Sequence, residues 1–275
     1  MQIDAHQHFW QLDRGDYDWL TPELGPIYRD FLPTDLAPHI EAFHIGKTIL
    51  VQAAATEAET LFMLDLAERT DFIAGVVGWT DFDSTLVEKN IASLASNDHL
   101  VGLRPMVQDI ADDDWLASES LAPAFQTMIA HGLVFDALVL PRHLPRLFKV
   151  LERHPELRVV IDHAAKPTIR DGVEKQWFSN MKTVASFPQV SCKISGLITE
   201  AGTDWTTDDL RPVTDHLLET FGPDRLVWGS DWPVLNLAGN FQAWWETTQE
   251  LLASLSSEER SRILGENARQ LYLTR

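Results

Sequence analysis

The chain has 275 residues, with 22 lysines and arginines against 41 aspartates and glutamates, a formal net charge of −19. Hydrophobic residues at 45% and charged residues at 23% make a globular composition, which excludes collagen-like repeats and disordered linkers. Acidity on this scale argues against nucleic acid and anionic membranes as partners, because binding phosphate surfaces takes a basic stripe.

The length suits one large domain, and α/β barrels of about 250 residues are common single domains. Cys192 is the sole cysteine, so no intrachain disulfide forms; in the apolar run Val190 to Ile194 it reads as a buried, inert thiol. Met1 leads at once into Gln2-Ile-Asp-Ala-His6, without the charged and apolar regions of a signal peptide. No apolar run approaches the roughly 18 residues of a membrane span. The expectation is a soluble cytoplasmic protein; the oligomeric state is not legible.

In chain order, β-like runs fall at residues 3–8, 48–52, 73–79, 101–104, 133–136, 158–163, 190–194 and 226–230. Several, such as Ile49-Leu-Val51 and Val159-Val-Ile161, are apolar at every position, as strands buried on both faces should be. Helical patterns lie between them. Thr56-Glu-Ala-Glu59 forms a capping box ahead of Leu61, Leu64 and Ala67. Leu144, Leu147, Val150 and Leu151 share one helical face before His154-Pro155. Leu210, Val213, Leu217 and Phe221 do the same before Gly222-Pro223. Eight β-then-α units with no dividing linker predict a (β/α)8 TIM barrel, one domain over residues 1–275. An open doubly wound sheet would carry a glycine-rich phosphate turn after its first strand, and Phe9-Trp10-Gln11 stands there instead.

In a barrel, chemistry sits where the strands end. The first run ends Asp4-Ala-His6-Gln-His8, with His6 and His8 on one face, so the two imidazoles share a metal ion, flank a carbonyl or serve as structural residues. The fourth run ends at Arg104-Pro105, and that guanidinium answers either a substrate oxygen or an acidic rim residue. The sixth ends Asp162-His-Ala-Ala-Lys166; with Ile161 and His163 in the lumen, Asp162 faces the helices as a structural hydrogen-bonding residue. Asp136, Lys193 and Ser195 read as structural pairing. The eighth ends Trp228-Gly-Ser-Asp231-Trp-Pro233, where a carboxylate closing an apolar strand has to be paired, metal-bound or functional.

These blocks, with Ile3-Asp-Ala-His-Gln-His-Phe-Trp10, Gly102-Leu-Arg-Pro105, Asp162-His-Ala-Ala-Lys-Pro167, Lys193-Ile-Ser-Gly-Leu197 and Trp228-Gly-Ser-Asp-Trp-Pro233 in this order, resemble the amidohydrolase superfamily. They are closest to its amidohydrolase-related branch of sugar-lactone hydrolases. The resemblance implies an amidohydrolase-type barrel that hydrolyses a cyclic ester. It places His6, His8, His163 and Asp231 at active-site positions and Arg104 at a substrate-binding one. The bridging residue and extra histidine of two-metal members are missing, which implies at most one divalent ion, zinc by its ligand types, or none; His6, His8 and Asp231 are the ligands it implies.

On this reading Asp231 is the general base, and His163 and Arg104 assist the reacting carbonyl. Ten tryptophans are present, and Trp10, Trp79 and Trp232, near strand ends, are expected to bind substrate along with Lys166. Few arginines lie near the predicted mouth, which favours a neutral aldono-lactone, such as L-fucono- or L-rhamnono-lactone, over an anionic one. The alternatives are a 2-pyrone-4,6-dicarboxylate-type lactonase, a metal-dependent decarboxylase of the same superfamily, and a non-enzymatic sugar-binding barrel.

Overall fold

A computed structural model describes residues 1–274. Eight strands form one parallel sheet in sequence order: β1 Gln2–Gln7, β2 Ile45–Val51, β3 Ile73–Gly78, β4 Leu100–Leu103, β5 Val134–Ala137, β6 Val159–Ile161, β7 Val190–Ile194 and β8 Leu226–Trp228. Helices run between them: α1 Pro33–Ala42, α2 Glu57–Arg69, α3 Val87–Leu94, α4 Ala122–Ala130, α5 Leu144–Arg153, α6 Lys175–Ala185, then α7 Leu197–Ala201 and α8 Thr207–Phe221. After β8 come α9 Phe241–Leu251, α10 Ser257–Ser261 and α11 Asn267–Tyr272. This is the expected (β/α)8 barrel. No helix of the described residues is long and apolar enough to cross a membrane.

The seam between the last strand and the first closes just beyond β8. Asp231 N donates to His6 O at 2.8 Å, and His8 N donates to Trp232 O at 2.8 Å. Gly229 permits this approach, because a Cβ there would stand 2.6 Å from His6 Cβ. Buried Asp4 adds a clasp, its Oδ1 accepting from Ser230 N at 2.8 Å and His6 N at 3.2 Å.

The core has two shells. Ile161, Leu50, Phe135 and Trp228 pack outward against the helices. Ile49, Val51, Val77, Val134, Val160 and Val227 point inward, with Tyr272 of α11 plugging the barrel from below. Such alternation is what a pleated strand demands. It also overturns one expectation. Val160, not Ile161, faces the lumen, so Asp162 follows it inward and does not face the helices.

Above the aliphatic layer lies a buried charged one. Lys193 Nζ lies 2.6 Å from Asp136 Oδ2 and 2.9 Å from Asp162 Oδ1. Arg104 Nη1 lies 3.2 Å from Asp162 Oδ2. Tyr272 donates its hydroxyl to Asp136 Oδ2 at 2.7 Å, which ties the C-terminal helix to this layer. Two cations and two carboxylates cancel in a region closed to water, which is the condition for burying them at all. The pairing expected of Asp136 and Lys193 is therefore what the lumen contains.

Candidate active site

The charged layer forms the floor of a cavity of about 280 Å³ at the strand C-terminal ends. Ring and carboxylate groups converge there on one oxygen. Asp231 Oδ1 lies 3.3 Å from His8 Nε2, 3.7 Å from His6 Nε2 and 4.0 Å from His163 Nε2.

Each group reaches this point by a distinct local device. A register slip between Asp4 and Gln7 lets His6 join the lumen alongside Ile3 and Ala5. Asp231 turns inward through a positive φ of 59°. His163 begins a left-handed turn in which φ is 52°, 53°, 60° and 51° at His163, Ala164, Ala165 and Lys166. Non-glycine residues enter that region at a cost of about 1–2 kcal/mol each. The turn is held by Trp177 Nε1 donating to Ala164 O at 2.8 Å and by Lys166 N donating to His163 O at 2.8 Å. It carries two cavity-lining side chains, His163 and Lys166.

The imidazoles are fixed from behind. His8 Nδ1 is 2.7 Å from Val51 O, which can only accept, so Nδ1 carries a hydrogen. His163 Nδ1 pairs with Ser195 Oγ at 2.9 Å. His6 Nδ1 lies 3.2 Å from Lys193 Nζ and 3.4 Å from Asp162 Oδ1. Burial pushes the His163 imidazole down to about 4, and burial beside Lys193 holds His6 well below its ordinary value. Burial works to raise the Asp231 carboxyl, but His163, His8 and His6 outweigh it and hold the group below the usual carboxylate range. The site at neutral pH is an anion beside two weakly basic imidazoles, His6 and His163.

The same residues suit a cation. His6, His163 and Asp231 each offer a ligand atom, and these atoms lie within 4.8 Å of one another. His8 Nε2 faces Asp231 Oδ1, acceptor toward acceptor, a contact that a shared proton or a bound cation relieves. Two imidazoles and a carboxylate, with hydrogen-bonding partners behind both rings, form a donor set suited to one zinc-like ion. This trio contains His163, while His8, expected from sequence as a ligand, stands beside it at 3.3 Å from Asp231 Oδ1.

Of the residues singled out from sequence, His8, Arg104, His163, Lys166 and Asp231 line the cavity. Arg104 is heavily committed: beyond Asp162, its Nη2 donates to Gln52 O and Oε1. Its Nε is buried and finds no partner among the described residues. Lys166 Nζ donates to Gln108 Oε1 at 3.2 Å and sits 3.4 Å from Glu200 Oε1. Trp10, Trp79 and Trp232 do not line the cavity. Trp10 packs on Phe31 and donates to Arg29 O, Trp232 packs on Phe9 and Phe31, and Trp79 pairs its backbone with Thr60 Oγ1. The indole in the cavity belongs to Trp19, in the irregular loop after β1. Ser195 is a second residue that sequence reasoning left outside the site; it shares the lumen face of β7 with Lys193, two residues away.

Residues 3–273 match the model of a family described as amidohydrolase. A protein named L-fucono-1,5-lactonase from Burkholderia ambifaria is 46% identical over 98% of this chain and 95% of its own. One of the same name from Burkholderia multivorans is 36% identical over 99% of this chain and 96% of its own. A crystal structure of an amidohydrolase from Burkholderia multivorans with bound zinc superposes over the full length of both chains, at 36% identity and a TM-score of 0.93.

Proposed function

The chain belongs to the amidohydrolase family, and we propose that it hydrolyses a neutral sugar lactone to the open-chain sugar acid. The observation that carries the mechanism is the convergence of three buried imidazoles on Asp231 Oδ1 at the cavity floor. The substrate class is supported by the near full-length similarity to two proteins named L-fucono-1,5-lactonase.

Asp231 takes a proton from water as general base. A carboxylate of lowered pKa is a weak base alone, and the neighbouring imidazoles share the proton with it. The hydroxide adds to the lactone carbonyl carbon. Arg104 and His163, both in the cavity lining, are the groups we assign to the oxygen that gains charge. The carbon–oxygen bond of the ring then breaks, and the proton held at Asp231 passes to the departing ring oxygen. A divalent ion held by His6, His163 and Asp231 would draw charge from the carbonyl. The site takes one such ion at most, because Asp136 and Asp162, the other carboxylates of the lumen, are already paired with Lys193 and Arg104. Elemental analysis after zinc-supplemented expression should give no more than one equivalent; two would contradict this.

The pairing of the cavity's cations supports a neutral substrate. Arg104 is bound to Asp162 and Lys166 to Glu200, while Arg142 pairs with Asp113 outside the cavity. A dicarboxylate would find no uncommitted guanidinium there, and bidentate pairing is what offsets its desolvation. The test is kcat/KM for a panel of sugar lactones beside 2-pyrone-4,6-dicarboxylate. The sugar lactones should lead by at least tenfold, and a lead for the dicarboxylate would overturn the assignment.

A further inference from the structure

One wall of the cavity has no part in the chemistry above and is nevertheless carefully built. The loop joining β1 to α1 is pinched at its ends, where Trp10 and Phe31 exchange two backbone hydrogen bonds of 3.0 Å. Within the loop, Trp19 lines the cavity while 39% exposed. An indole in that position would ordinarily swing freely. This one does not, because its Nε1 donates to Ala53 O at 2.7 Å and its ring meets Trp10 edge-on at 5.6 Å.

The acceptor is itself anchored. Ala53 lines the cavity beyond β2, and its N–H donates to Glu59 Oε1 at 3.0 Å and Oε2 at 3.1 Å. Ala54 N donates to Glu59 Oε2 at 2.6 Å. Glu59 is fully buried in the first turn of α2. In a capping box its carboxylate would reach back to the helix's own cap residue. Here Thr56 does accept from Glu59 N, but the carboxylate instead grips the two backbone amides of the strand-end loop. A buried carboxylate is thus spent on fixing a short backbone segment whose free carbonyl holds Trp19.

A rigid, half-exposed indole beside a small cavity of mixed polar and apolar lining suits one ligand chemistry: a ring with an apolar C–H face and hydroxyls at its edge. Preorganised aromatic surface binds such a face at little entropic cost. We propose that Trp19 is the platform on which the sugar ring of the substrate rests, and that Glu59 is a positioning residue acting through Ala53. This rests on the lactonase reading. Trp19 touches the ring equally before and during reaction, so its loss weakens binding without slowing the chemical step.

The experiment measures kcat and KM separately for L-fucono-1,5-lactone with Trp19→Ala, Trp19→Phe, Glu59→Ala and Glu59→Gln, each checked by thermal melting. Trp19→Ala should raise KM about three- to tenfold with kcat within threefold of wild type. Trp19→Phe, which keeps a ring and loses the N–H, should fall between. Glu59→Ala should reproduce the Trp19→Ala effect, and Glu59→Gln, which keeps an amide-accepting oxygen, should restore KM to near the wild-type value. The double variant Trp19→Ala with Glu59→Ala should be no worse than either alone. An unchanged KM in Trp19→Ala overturns the platform, and additive effects in the double variant overturn the link through Ala53. If wild-type protein hydrolyses no sugar lactone, the lactonase reading falls and this inference with it; if it does and KM is indifferent to Trp19, the inference alone falls.

Discussion

Gly196 offers a way to crowd the proposed site without altering any of its reactive groups. It follows β7 with φ +64°, and a Cβ placed on it would stand 2.5 Å from His163 Nδ1, 2.8 Å from His163 Cγ and 3.2 Å from Asp231 Oδ2. Ordinary contact begins near 3.4 Å, so in Gly196→Ala the imidazole retreats by about 0.9 Å and gives up its 2.9 Å bond to Ser195. A displacement of about 1 Å at a reacting group costs on the order of 10²-fold. The variant also places alanine in the left-handed region, at about 1–2 kcal/mol. Gly222 separates the two effects: at φ +67° and ψ 170° it occupies a region open essentially to glycine alone, so alanine there is strained at least as much, and nothing lies within 4 Å of its Cβ position. Gly222→Ala should drop in melting temperature by about 2–8 °C or more and keep full activity. Gly196→Ala should share that drop and lose about 10²-fold in kcat/KM in a pH-indicator assay of lactone hydrolysis. Activity of Gly196→Ala within threefold of wild type would refute the placement of His163, as would an equal loss in Gly222→Ala.

Removing Lys193 leaves Asp136 and Asp162 buried without their shared cation, so Lys193→Met should destabilise the fold by about 3–5 kcal/mol, read by denaturant unfolding. A loss under 1 kcal/mol would show that the carboxylates are neutral in the folded state. Burial pushes the Glu59 carboxyl up from 4.5 to about 7. Between those values the folded chain holds a proton that the unfolded chain has released, so wild-type stability falls as pH rises through that window, by up to about 3 kcal/mol. Glutamine does not titrate, so the melting temperature of Glu59→Gln should gain on wild type from pH 4.5 to 7; a constant difference would contradict the shift.

The barrel is legible in the sequence because doubly buried strands are apolar at every position and the helices between them carry one apolar stripe. The strand-end residues His6, His8, Arg104, His163 and Asp231 are legible for a related reason: charge at the end of an apolar run needs a partner. What fails is finer. β6 has only the three residues Val159–Ile161, too few to fix which face is inward, so Asp162 is placed on the wrong side. His163 then reaches the cavity through a left-handed turn that strand alternation cannot anticipate. Trp10 and Trp232 stand next to site residues in sequence, but proximity along the chain does not say which way an indole points, and both pack into the core. Trp19 lies in a loop without periodicity, and its role emerges only once Ala53 and Glu59 are seen behind it. The lumen charges of Asp136, Asp162 and Lys193 are visible singly, while their cancellation depends on three strands meeting.

The central claim is that Asp231 opens the lactone. The most direct measurement is kcat for Asp231→Asn beside wild type on L-fucono-1,5-lactone, with thermal melting on the same samples. Asparagine keeps the shape and cannot accept the proton, so kcat should fall by about 10²–10⁴-fold while the protein remains folded. A folded Asp231→Asn protein with kcat within threefold of wild type would contradict the account.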